Sequence, residues 1–341
     1  MYAMKCHKYL IVNLLTILLF FLFSCAERPP KVDHVKVDFK LIPFYEDLFS
    51  ISPDSAHIEQ HKVRLIDRYG SYLDTYSRRI VGSGSVYNAD FSANMEKFLS
   101  YEPNQEVVDS CKKVFHNLQK LENEIKNAYQ YYKYYFPDNL TPDVYLHISG
   151  FNQAIAIDSL WVSVSVENYL GQDCEFYEWL DIYMYLRKKM TPEKVVPDIM
   201  KAIAMTEFVY NDSIDDLISR MVHNGMILYF VKKTNPYIHD SLLFDMTGKE
   251  IKWCRQYEKM MWSSMVERKH LYVTDRMIIQ KYVNDTPFTY YFGQESPGKT
   301  GVYSGYRIIE SYMKRNTDIT LHQLMKKTNY HQIFIEAAYR P

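Results

Sequence analysis

The sequence predicts an α+β fold, predominantly helical, with a small antiparallel or mixed sheet inserted between helices. Apolar residues recur at three-four spacing over most of the chain, as in helices that bury one stripe. Near the middle the period switches to two, over Val144, Leu146 and Ile148 and again over Val162, Val164 and Val166, as in strands. The first 25 residues follow neither pattern: a short basic stretch and an apolar run end in Leu22-Phe23-Ser24-Cys25.

That leader carries Lys5 and Lys8 and no acid, and its apolar part, Tyr9 to Phe23, has the length of a secretory core. A bilayer span takes roughly 20 apolar residues, so the run is too short to cross comfortably. Ser24 before Cys25, with Leu22 two further back, resembles a bacterial lipobox, in which the cysteine thiol is diacylglycerated and becomes the mature N-terminus. Acyl chains contribute about 0.8 kcal/mol per buried methylene, so two or three of them tether a protein almost permanently. The organisation expected is a signal peptide over 1–24, a lipidated tether over 25–34, and a single domain over 35–341. Within that domain a helical part runs to about 140 and a strand-helix part covers about 141–341.

The elements follow in order. Val35, Val37, Phe39 and Leu41 alternate with Lys36, Asp38 and Lys40, which predicts a short strand. Helices are expected at 55–79, 88–99 and 105–135; within the last, Val108, Cys111, Val114, Phe115 and Leu118 share one side. The alternations at 144–148 and 162–166 predict two half-buried strands. Helices return at 175–189, 192–210, 213–233, 248–269, 273–283, 302–315, 319–327 and 330–337. Thr191-Pro192-Glu193 reads as a helix start, with Thr capping, Pro in the first turn and Glu at the positive end of the dipole.

With 47% apolar and 24% charged residues the chain is an ordinary globular protein, and its net charge of −1 argues against nucleic acid as a partner. Removing 1–24 takes away only lysines, so the balance stays slightly acidic. Tyrosine is abundant, at 31 residues, and amphipathic rings suit either the wet edge of a core or a binding cleft. Beyond Cys25, the mature chain holds Cys111, Cys174 and Cys254, widely spaced and without a metal pattern, so the fold does not rest on cystines.

Two motifs invite chemistry and fail on context. Gly293-Gln294-Glu295-Ser296-Pro297-Gly298-Lys299-Thr300 fits G-x-x-x-x-G-K-[ST], but the residues after it read as helices and offer no later strand for a Mg-binding Asp. No nucleotide is expected. His57-Ile58-Glu59-Gln60-His61 sets two imidazoles one turn apart, yet Glu59 falls on the opposite face, where it cannot activate a zinc-bound water. No G-x-S-x-G elbow and no flanked catalytic cysteine is present. Neither a metal nor a cofactor is expected.

Trp161 to Gly171, Phe176-Tyr177, Met190-Thr191-Pro192-Glu193 and Val196 to Ala204, with Tyr282 to Phe288, Glu295 to Gly301 and Gly305 to Met313, are where the sequence resembles the gliding-motility lipoprotein B family of Bacteroidota. The resemblance runs over roughly 35–341 and includes the lipobox. It implies a protein held on outer-membrane lipid through acylated Cys25. That family is distantly similar to predicted zinc peptidases, which implies a zincin-like peptidase scaffold. On that pattern Thr206 and Tyr210 stand where both histidines belong, Asn224 stands near the acidic ligand, and only Glu207 is kept. The metal centre is therefore expected to be absent, leaving a vestigial cleft of Thr206, Glu207, Tyr210, His223, Asn224 and Tyr306. The function implied is non-catalytic capture of an envelope protein or extended peptide, docked by edge addition on strand 162–166 if its edge is free. Two other readings stay open: an active envelope hydrolase with a non-standard site, and a glycan-binding lipoprotein.

Overall fold

The computed structural model describes residues 28–341, so the leader and Cys25 lie outside the described residues. The chain divides into two units: of Met1–Lys31 the described residues 28–31 carry no regular structure, and Val32–Pro341 holds every element below. The class is α+β, helix-rich, with one four-stranded sheet of mixed direction.

The first part holds β1 (Leu41–Ile42), α1 (Phe44–Leu48), α2 (Ser55–Tyr69), α3 (Ser71–Thr75), a π turn at Tyr76–Ile80, α4 (Phe91–Leu99), α5 (Glu102–Val114) and α6 (Leu118–Tyr135). The strand expected from Val35 shrinks to two residues, although Val37 and Phe39 still pack on the core. The helix expected over 55–79 breaks at Gly70, whose φ of 53° lies in the left-handed region that glycine tolerates. The one expected over 105–135 breaks because the Asn117 side chain accepts from Lys120 N–H at 3.1 Å and caps a new helix.

β2 (Asp143–His147), β3 (Ile155–Ile157) and β4 (Trp161–Ser165) complete the sheet in the order β1-β2-β4-β3. β2 runs parallel to β1 and β4, with Val144 opposite Val162, and β3 pairs antiparallel with β4, Ile155 opposite Val164. β4 therefore lies inside the sheet with both edges paired, so a peptide cannot add to it. It is also buried throughout, not half-buried. Ser163 and Ser165 stay inside because Ser163 Oγ meets His147 Nδ1 at 2.6 Å and Tyr72 Oη at 2.7 Å, while Ser165 Oγ meets Ser149 Oγ at 2.9 Å. The sheet parts two cores. Val144, Leu146, Val162 and Val164 face the larger one, and Trp161 and Tyr145 face a smaller one built from residues 44–99.

The second part runs α7 (Glu175–Trp179), α8 (Met184–Arg187), a 3₁₀ turn at Pro192–Lys194, α9 (Val195–Glu207), α10 (Leu217–Thr234), α11 (Asp240–Phe244), α12 (Gly248–Gln256), α13 (Glu258–Glu267), α14 (Arg276–Val283), α15 (Thr300–Arg315), α16 (Leu321–Met325) and α17 (Tyr330–Ala337). The helices expected over 175–189 and 248–269 are each interrupted. Pro192 does sit in the first turn, but the Thr191 side chain makes no capping bond, contrary to expectation. Thr247 with Glu250 and Thr320 with Gln323 form capping boxes instead. α10 and α15 cross at Gly225 and Gly305. A Cβ on Gly305 would stand 1.8 Å from the Met221 carbonyl oxygen, and one on Gly225 2.3 Å from Gly305 backbone.

Candidate functional site

A cavity of about 420 Å³ opens where α9, α10, the end of α11, the end of α14 and the start of α15 meet. Ile227, Leu228, Phe244, Val283 and Val302 are among its apolar lining residues, and its charged groups are Lys201, Asp245, Asp285 and Lys299. A wider groove of about 960 Å³ near Phe115, Leu121 and Tyr237 carries Lys120, Glu124 and Glu193. There Lys120 and Glu124 pair with each other at 3.8 Å.

The charges come from one stripe of helix and three loops. Lys194, Asp198 and Lys201 follow at i, i+4 and i+7, so they share a face. Buried Lys194 bridges Asp198 at 2.9 Å and Asp245 at 2.6 Å. Lys299 bridges Asp245 and Asp285, each at 2.7 Å, and Lys189 reaches Asp285 at 2.5 Å. Asp245 and Lys299 both hold left-handed backbone, at φ 55° and 56°. That conformation costs a non-glycine residue about 1–2 kcal/mol and persists where surrounding contacts fix it. Gly298 makes the closure possible, since a Cβ there would lie 2.1 Å from the Thr286 carbonyl oxygen.

Burial alone would raise the Asp245 carboxyl, but Lys194, Lys299 and Lys201 hold it well below the usual range. Asp285 behaves likewise: Lys299 and Lys189 overcome its burial and keep it at about 2. Lys194 and Lys299 are lifted by their carboxylates against the effect of burial. Lys201 differs. Burial lowers its ammonium, Asp245 and Asp198 offset this only in part, and Lys299 and Lys194 push the same way as burial. Among the described residues no carboxylate stands within ion-pairing reach of it.

The cleft residues expected from sequence fall into separate neighbourhoods. Glu207 accepts from the Tyr132 hydroxyl and from Asn139 Nδ2 at 2.8 Å, and burial raises its carboxyl. Thr206 is exposed beside it on α9. Tyr210 stacks on Tyr330 with ring centroids 5.3 Å apart, and its hydroxyl donates to Asp215 at 3.1 Å. His223 meets the Tyr210 ring edge-on, and its Nε2–H donates to the Phe208 carbonyl at 3.0 Å. Tyr306 is buried against Phe244 and Tyr229. Of the six, Asn224 alone lines the charged cavity, with its Nδ2 donating to the Arg220 carbonyl at 2.8 Å.

The two motif matches resolve by context. Only a 3₁₀ turn, Tyr290–Phe292, precedes the loop ending in Lys299, and Thr289 Oγ1 closes that loop on the Pro297 carbonyl at 2.8 Å. The lysine that a phosphate would need is engaged by two aspartates. His57 binds its own cap residue Asp54 at 2.6 Å, and Glu59 accepts from Ser92. Among the described residues no group of three His, Cys, Asp or Glu is placed to hold a metal ion, and Cys111, Cys174 and Cys254 are free thiols.

Sequence reasoning missed this site, because the contacts that join its segments, Lys299 to Asp245 and Lys189 to Asp285, span 54 and 96 residues of chain. Two signals pointed to it: the Lys194, Asp198, Lys201 stripe, and the segments that carry the family resemblance, which supply Asp198, Lys201, Asp285 and Lys299. The model of one protein family, described as gliding motility protein GldB, matches residues 25–341. No curated protein and no solved structure matches the chain.

Proposed function

From a chain that belongs to the gliding motility protein GldB family, we propose a lipid-anchored, non-catalytic component of an outer-membrane machinery, which captures an envelope protein or extended peptide. The observation that carries the lipid anchor is that the family match opens at Cys25, the residue that closes Leu22-Phe23-Ser24-Cys25. Acylation of that thiol after removal of 1–24 puts the acyl chains at the mature N-terminus, with 25–34 as tether. Among the described residues no helix is long and apolar enough to cross a membrane. The folded part is read as a zincin-like scaffold without its metal centre. This part rests on the sequence resemblance alone: the helix expected to carry Thr206 and Tyr210 one turn apart ends at Glu207, so Tyr210 lies beyond it.

Growth with labelled palmitate tests the anchor. Label should enter the wild-type protein and not Cys25→Ser, which should move from the membrane fraction to the soluble one; an unlabelled wild type, or a membrane-bound Cys25→Ser, overturns it. Stoichiometric zinc in the purified protein, or cleavage in a peptide and glycan screen, overturns the non-catalytic part in favour of a hydrolase.

A further inference from the structure

Resting on the reading of this chain as a binding protein, we propose that the charged cavity is a carboxylate site, which seats the C-terminal end of a peptide with an apolar last residue on the ammonium of Lys201. The charge balance is the first argument. Around the cavity Lys189, Lys194, Lys201 and Lys299 face Asp198, Asp245 and Asp285, and every member except Lys201 is committed to an ion pair. One positive charge is therefore in excess, and it belongs to a lysine that lines the cavity. A partly buried ammonium without an ion pair is costly, and a bound anion offsets that cost. A single excess charge matches a carboxylate better than a phosphate, which carries about −1.5 to −2 near neutral pH.

The walls choose among carboxylates. Phe244, Ile227, Val283 and Val302 line the cavity beside its charged groups and offer apolar contact there. A C-terminal residue bears its carboxylate and its side chain on the same carbon, so an apolar last residue meets both at once. An aspartate or glutamate side chain ends in the carboxylate alone and leaves those walls uncovered. Asn224 completes the match: with an amide N–H given to the Arg220 carbonyl, its own carbonyl oxygen is the group left to accept a peptide N–H. The volume, about 420 Å³, is at the small end for ligand pockets, which run about 300–1,000 Å³, and suits a chain end.

Calorimetry at pH 7 on the detergent-solubilised full-length protein tests this with N-acetyl-Ala-Ala-Leu as free acid, the same peptide as C-terminal amide, and N-acetyl-Ala-Glu-Leu amide. A charge-assisted bond is worth about 1.5–3 kcal/mol, so the free acid should bind at least about tenfold tighter than its amide. The glutamate-bearing amide should bind like the plain amide. Lys201→Met should erase the difference between acid and amide while its melting temperature stays level or rises, because a partly buried charge without an ion pair has been removed. Val302→Asp, which supplies an internal carboxylate at the wall, should also block the acid. Equal binding of acid and amide to the wild type overturns the proposal, as does tighter binding of the glutamate-bearing amide or of inorganic phosphate. Preference for the acid together with peptide turnover or bound zinc keeps the carboxylate site and removes the non-catalytic reading. Absence of that preference in a protein without turnover removes the site and leaves the reading standing.

Discussion

At the scale of single residues, the fold keeps a polar layer under its sheet. His147 is buried on β2, and burial drives its imidazole down to about 3, opposed in part by the Gln153 backbone. Because the folded value is depressed below the ordinary 6.5, the unfolded chain binds the extra proton between those limits. Stability from this group is complete above about pH 6.5 and is lost as pH falls toward 3, at up to about 1.4 kcal/mol per unit. His223 and His270 are lowered in the same sense, whereas Glu167, raised by burial, acts in the opposite one. The difference between wild type and His147→Gln therefore isolates the effect: urea midpoints should fall less steeply in the variant between pH 6.5 and 5, and parallel profiles would contradict it. None of this layer was legible in the sequence. Ser163 and Ser165 alternate with valines and read as outward polar positions, since nothing local reveals that Tyr72 and His147 will cover them.

At the scale of elements, backbone contact replaces side-chain packing where α10 meets α15. Gly305→Ala forces a methyl to within 1.8 Å of the Met221 carbonyl oxygen, a contact that only separation of the helices can relieve. Overpacking of this kind costs about 1–3 kcal/mol, and more where backbone must move, so thermal melting should register at least that loss. Gly248→Ala is the control. It opens α12 with nothing within 4 Å of the added methyl, and should be neutral or stabilising by about 0.4–1 kcal/mol. Helix positions were broadly readable from periodicity, as were both long strands. Breaks at Gly70 and Asn117 were not, because apolar spacing continues across each cap. β3 escaped notice as three residues, Ile155-Ala156-Ile157, too short for a period and fixed only by pairing with β4.

At the scale of the whole molecule, the family was legible because its blocks are contiguous in sequence, and the cavity was not, because it exists only once those blocks meet. Lys299 was conspicuous as the lysine of a phosphate-loop pattern, and its place between Asp245 and Asp285 needed the chain to close across 54 residues. The crossing of α10 and α15 bears on this assembly, since Asn224, Ile227 and Leu228 come from one helix and Val302 from the other. Two helices in backbone contact leave no space for a side chain between them, so uptake at the proposed carboxylate site is expected to follow simple collision. In stopped-flow mixing the observed rate should climb linearly with peptide concentration; a plateau would mean that the walls rearrange first. If the proposed carboxylate site takes a peptide end, the glycine pair thereby sets its tempo: the site does not wait to become receptive, and the length of its hold is decided by escape.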